Sequence, residues 1–255
     1  LGRPARADAR KANLMRLWQR AIAALLLVAG QGASADPAPA ILAADYAEPT
    51  TRYTHGILGD AVEWGALRLR VKDCADCAPR QILLRLPQHR VFEDVAPRVV
   101  ELGTGTPLVM VVESDLSQGA RLAIYDANGV VTATPFIGTR NRWLAPIGAA
   151  DLDGDGAVEL AYIDRPHLAK TLRLWRFEGG ALTEVAKLPG LTNHRIGETD
   201  IAGGIRTCTG TPEMIVATAN WSRLIAVTFD GTQLQSRDIG PHKGRKSFRA
   251  ALACN

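Results

Sequence analysis

The sequence predicts an all-β protein, a small β-propeller-like repeat of about four or five blades preceded by a signal-peptide helix. Three observations predict it. Apolar runs of strand length recur between clusters of Gly, Pro, Asn and Asp. They recur in the same order with a period of about fifty residues. After residue 40, no stretch sustains a helical spacing of apolar residues. A β-sandwich of similar length is the alternative. It explains the strand content equally well, and the regular spacing poorly.

The first segment stands outside the repeat. Met15–Arg20 is a short basic stretch, Ala21–Ala29 is apolar, and Ala33-Ser-Ala35 precedes Asp36-Pro37. That order is the order of a secretory signal peptide. The apolar run is about half of what a bilayer-spanning helix needs. Residues 15–35 therefore read as a signal peptide, and 36–52 as an N-terminal linker. The repeat domain is expected over 53–255. Residues 1–14 are polar, Arg-rich and lack a starting Met, and read as a non-native upstream extension. The mature chain is expected in a periplasm or the extracellular space, monomeric, with no membrane span. No Cys stands at the cleavage point to take a lipid.

The charge balance agrees. Residues 1–35 hold six Arg and Lys against Asp8 alone, a local +5 out of a formal +4 for the whole chain, so residues 36–255 carry −1. The basic pI of 9.0 belongs to the leader. A near-neutral mature chain has no electrostatic case for nucleic acid or an anionic membrane.

Each repeat then reads as strand, short loop, strand, Gly turn. A faint first copy runs through Thr54–Leu58, Ala66–Val71 and Arg80–Leu86. The second has Pro107–Glu113, Ala120–Tyr125 and the turn Asp126–Gly129. The third has Val158–Asp164, Thr171–Phe177 and the turn Glu178–Gly180. The fourth has Pro212–Thr218, Ser222–Phe229 and the turn Asp230-Gly231. Small-residue strands lead the last three: Arg98–Leu102, Ile147–Ala150 and Ile201–Ile205. Small residues suit strands that crowd around a central axis. The tryptophans Trp64, Trp143, Trp175 and Trp221 are spread about one per unit, which favours packing between blades over a sugar-stacking platform. The basic run Pro241–Arg249 reads as a solvated tail, and Asn220-Trp-Ser222 fits a glycosylation sequon by pattern only.

Four cysteines, Cys74, Cys77, Cys208 and Cys254, suit two bridges in an oxidising compartment. Proximity favours Cys74–Cys77, which leaves Cys208 with Cys254. Closing the second loop is expected to stabilise by about 3–4 kcal/mol in the chain-entropy model. A C-x-x-C pair also serves redox or zinc sites, but Asp73 and Asp76 disfavour a low-pKa thiolate and no second C-x-x-C exists.

The motif with chemistry in it is Asp151–Glu159 (DLDGDGAVE). Its carboxylates stand at positions one, three, five and nine, with Gly156 at six. A hard cation that takes six to eight oxygens suits such a loop. The expected calcium ligands are Asp151, Asp153, Asp155, the Ala157 carbonyl and Glu159, with water completing the shell. Position twelve is Tyr162 and no helices flank the loop, so this is not an EF-hand. Without a cation, four carboxylates packed so closely repel one another.

With its flanking strands, from Ile147 to Trp175, the loop resembles the FG-GAP repeat of integrin-type propellers, also known from bacterial VCBS-repeat proteins. The resemblance implies a propeller whose loops bind calcium structurally, in adhesion or ligand-binding proteins. It assigns ligand roles to the same five residues and to no others. The equivalent loops Leu102–Thr106 and Ile205–Gly210 lack the carboxylates, so one ion is expected.

Enzyme signatures are absent: no Gly-x-Ser-x-Gly, no His-Glu-x-x-His, no phosphate-cradling Gly-x-x-x-x-Gly-Lys. His55, His89, His167, His194 and His242 fall in different units, although a ring can bring distant residues together at its mouth. His55 with Asp60 and Glu63 is the first composite to look for. The sequence thus favours a non-enzymatic binding or scaffold module for a protein, peptide or glycan. A hydrolase or lyase at the mouth of the ring is the alternative, and a cluster of His and carboxylate groups there would favour it.

Overall fold

The computed structural model describes residues 39–255 and, upstream of them, Gly2 alone. The expected extension over 1–14 (Gly2 apart), the signal peptide over 15–35 and the first residues of the expected linker lie outside the described residues. The described chain is all-β with one short helix, and its three sheets are antiparallel and open. No helix among the described residues is long and apolar enough to cross a membrane.

The first sheet contains β1 (Ala40–Thr50), β2 (Glu63–Lys72), β3 (Arg80–Arg85), β4 (Arg90–Phe92), β5 (Arg98–Val100), β6 (Leu108–Asp115), β7 (Gly119–Asp126) and β8 (Gly129–Ala133). Its order is β1-β2-β4-β6-β7-β8, with β3 also on β2 and β5 also on β6. The second is a meander of β9 (Leu144–Ala150), β10 (Val158–Asp164), β11 (Thr171–Glu178) and β12 (Ala181–Pro189). The third orders β13 (Leu191–Thr192), β15 (Glu213–Thr218), β16 (Arg223–Phe229) and β17 (Leu234–Pro241), with β14 (Gly204–Arg206) also on β15.

Strand periodicity distributes the core. Successive side chains point to opposite faces, so a strand that is apolar throughout needs cover on both. In β10, Leu160 and Tyr162 join a core shared with Met110, Val112, Leu122 and Ile124 of the first sheet. Ala161 and Ile163 join the opposite core, with Met214, Val216 and Val227 of the third sheet. The first sheet also folds on itself, so that Leu67 and Leu69 of β2 meet Val111 and Tyr125. On the third sheet's remaining face, Ile215, Ala217 and Leu224 are covered by Phe248 and Ala251 of the helix α1 (Arg245–Leu252). Each fully buried aliphatic side chain contributes about 1.5–3 kcal/mol to this stack. Face-to-face layering of this kind is compatible with the sandwich alternative.

Three expectations are corrected. Residues 40–50 of the expected linker form β1, paired with β2 from Ala40↔Lys72 to Thr50↔Glu63. Thr54–Leu58 is a loop, not a strand, although its Ile57 is buried between the first two sheets. The basic run 241–249 is not a solvated tail, because most of α1 lies in it and Phe248 is buried. Of the four tryptophans among the described residues, Trp143 and Trp175 lie in the core between the first and second sheets, while Trp64 packs beside the first sheet's own core and Trp221 beside the core that the helix covers. Both disulfides are formed, Cys74–Cys77 in the β2–β3 connection and Cys208–Cys254 joining the end of α1 to the loop after β14.

Candidate functional site

The acidic loop connects β9 to β10. Gly154 and Gly156 have φ of +81° and +92°, and no atom lies within 4 Å of a Cβ built on either, so their requirement is conformational rather than spatial. Asp151 fastens the turn by accepting from the Gly154 and Gly156 amides at 2.7 and 3.0 Å. Asp155 accepts from the Ala157 amide at 2.8 Å. Glu159, buried, accepts from the Leu152 amide at 2.9 Å, and Leu152 is itself anchored in the core. Asp151, Asp153 and Glu159 thereby bring one carboxylate oxygen each within 4.8 Å of one another. This triad could hold a metal ion.

Sequence reading missed the cation that the fold itself supplies. Arg176 of β11 stands opposite Glu159 in the β10–β11 ladder. Its guanidinium reaches Glu159 Oε1 at 2.6 Å, Asp153 Oδ2 at 2.5 Å and Asp155 Oδ2 at 3.0 Å. The hydrogen bond to Glu159 leads the interactions that hold Arg176 above the ordinary guanidinium range. Burial still pushes the Glu159 carboxyl up, against the Leu152 amide and Arg176 that pull it down. One guanidinium among four carboxylates leaves a formal −3. Of the five expected ligands, three converge, while the Asp155 side chain is 44 % exposed and turned to Arg176.

At the opposite end of the β9–β10 hairpin, Trp143 precedes β9 and Arg165 follows β10. Both line a cleft of about 230 Å³ together with His55, Asn141, Arg142 and His167. His55 reaches a carboxylate, but not the expected one. Its Nδ1 lies 2.6 Å from Oε1 of Glu93, a fully buried residue whose other oxygen accepts from the Ser114 hydroxyl. Burial raises the Glu93 carboxyl, and His55 opposes the shift. The Trp143 indole donates to the Glu93 carbonyl at 2.7 Å. Asp60 instead accepts from the Val62 amide at 2.9 Å. Glu63 is buried in β2, its carboxyl pushed up to about 9 by burial and by the charges of Glu93, Asp60 and Asp94.

Two more histidines join this end. The His194 ring lies 2.8 Å through Nε2 from the Glu198 carbonyl, which can only accept. His194 Nδ1 is thus the acceptor in a neutral ring, facing His167 Nε2 as donor at 3.2 Å. Burial holds both rings down, His167 to about 4. His89 and His242 lie elsewhere, beside Asp115 and against Trp221 and Phe248. No protein-family model matches the chain, and no curated protein matches it either.

Proposed function

We propose that this chain is an exported, calcium-stiffened β-propeller-like binding module, its one ion held by the loop 151–159. The observation that carries the reading is the charge left over in that loop. Asp151, Asp153 and Glu159 converge, Arg176 pairs with Asp153, Asp155 and Glu159, and a divalent ion would take the formal −3 of these four carboxylates and one guanidinium to −1. Hard carboxylate oxygens are the donors calcium prefers, and Asp155, the Ala157 carbonyl and water would fill the rest of its shell. The FG-GAP resemblance over Ile147–Trp175 supports the same assignment. The propeller-like arrangement draws support from the leading strands: a Cβ on Gly148 of β9 would stand 3.1 Å from the Ile205 side chain of β14. Two disulfides and the leader segment support export. The partner on this reading is a protein, peptide or glycan.

Thermal melts in chelator and in calcium test the ion. Chelation is expected to lower the midpoint and added calcium to restore it, while superimposable curves would reject the site. Pull-down from native exported material, with and without calcium, tests the partner.

A second reading, a hydrolase at the cleft, is favoured by the His55–Glu93 pair. With Nδ1 on a carboxylate, His55 Nε2 is left to take a proton from water. Turnover of a panel of chromogenic esters by the protein, lost in His55→Gln, is the expected result. A rate equal in both proteins would sink it.

A further inference from the structure

We propose that the cleft beside His55 binds a small carboxylate with an apolar body. The inference adds a small-molecule site to the binding-module reading, whose partner is a protein, peptide or glycan. It rests on that reading, though not on calcium, because the acidic loop lies at the far end of the hairpin, roughly 20 Å away for seven-residue strands.

Arg142 carries the charge of the cleft. Its side chain donates to the Asn141 carbonyl at 2.8 Å, and among the described residues no carboxylate pairs with it. The other cations here are answered. Arg165 is bidentate on Asp164, and His167 and His194 form the neutral donor–acceptor chain described above. Glu93, fully buried behind its bond to His55, is not part of the cleft wall. One guanidinium without a counter-ion in a concave site selects an anion, and its planar fork suits a carboxylate.

The rim supplies the apolar part. Ile196 and Leu168 line the cleft and are 69 % and 63 % exposed, the most exposed large apolar side chains among the described residues. The backbone adds an independent sign. Arg165 holds φ of 44°, a strained region for its long side chain, and such residues gather where a ligand is clamped. A cleft of about 230 Å³ lies below the ~300 Å³ lower end for drug-sized ligands, so the body is small.

Isothermal titration of the folded, disulfide-bonded protein tests this with α-hydroxyisocaproate, isocaproate, isohexanol and inorganic phosphate, in calcium and in chelator. Both acids are expected to bind, and isohexanol and phosphate at least about tenfold more weakly. Arg142→Gln should weaken the hydroxy acid about tenfold or more. Ile196→Ser, at an exposed site that folding does not need, should also weaken it. Equal binding of the acid and the alcohol would overturn the inference. So would tighter binding of phosphate, no heat from any probe, or affinities untouched by both substitutions. Capture of a macromolecule alongside silent titrations would sink the cleft alone. Titrations that succeed while pull-down recovers nothing would sink only the macromolecular partner.

Discussion

Arg176 and the acidic loop define what a single side chain contributes here. Its guanidinium is one-fifth exposed, whereas the Glu159 carboxylate it answers is fully buried. Replacing it by Met leaves that carboxylate without a cation unless calcium takes the place. Arg176→Met should therefore cost about 2 kcal/mol in chelator and clearly less in saturating calcium, read from urea melts. Equal losses in both would mean that no ion shares the cluster. Glu63 makes a pH statement. Its carboxyl titrates near 9 in the fold against 4.5 when free, so between these values the folded protein holds a proton that the unfolded chain has lost. Stability from this group is complete below about 4.5 and falls as pH rises through 9, by at most about 1.4 kcal/mol per unit. His167 works in the opposite sense, because its folded value of about 4 lies below the free 6.5. Its contribution is complete above 6.5 and is lost as pH falls towards 4. Glu63→Gln should flatten the alkaline decline of the melting midpoint between pH 6.5 and 8.5 and leave the acid limb in place. An unchanged alkaline slope would reassign the decline to other groups.

At the scale of elements, α1 and its tether are the sharpest case. The helix is eight residues long and has no side-chain N-cap hydrogen bond. It is held by Phe248 and Ala251 in the third sheet's outer core, by Arg206 donating to the Ala251 carbonyl at 2.7 Å, and by the bridge from Cys254 to Cys208. Replacing that pair by serine reopens a 46-residue span and should cost up to about 4 kcal/mol in urea denaturation. Replacing Cys74 and Cys77, three apart, should cost about 2 kcal/mol or less. Equal costs would show that loop length does not govern either bridge. The same element shows where the sequence was legible. β10 has the bounds its apolar run announced, and β6, β7, β11, β15 and β16 differ from theirs by one or two residues, because each is apolar on both faces. β1 was not legible: its buried side is only Ile41 with the partly buried Ala44 and Tyr46, a pattern too sparse to separate from a linker. For α1, two turns of mixed Arg, Lys and Ala are too short to establish a period. The acidic loop was visible because its residues are consecutive. His55 and Glu93 were not, being 38 residues apart and joined only when β4 pairs between β2 and β6.

For the molecule as a whole, the second sheet carries core residues on both of its faces. Leu122 lies in the core that joins it to the first sheet, and Leu174 in the core that joins it to the third. Both are fully buried, so truncating either to alanine removes about 2–5 kcal/mol. If each sheet were stable alone, Leu174→Ala would loosen the third sheet and spare the first. Shared faces argue otherwise, because losing one layer exposes the apolar side of the next. Trp143 and Trp175 sit between the first and second sheets, Trp64 beside the first sheet's own core and Trp221 beside the third sheet's outer core, so tryptophan fluorescence samples these cores, whereas far-ultraviolet circular dichroism counts every strand. The two signals should fall together in one transition for each variant, and Leu174→Ala should shift the fluorescence midpoint although it lies on the far side of the sheet. The double variant should lose close to the sum of the single losses, since the two leucines occupy separate cores. A fluorescence transition left in place while the dichroism splits would mean that the layers melt one by one, and that the stack is not a single cooperative unit.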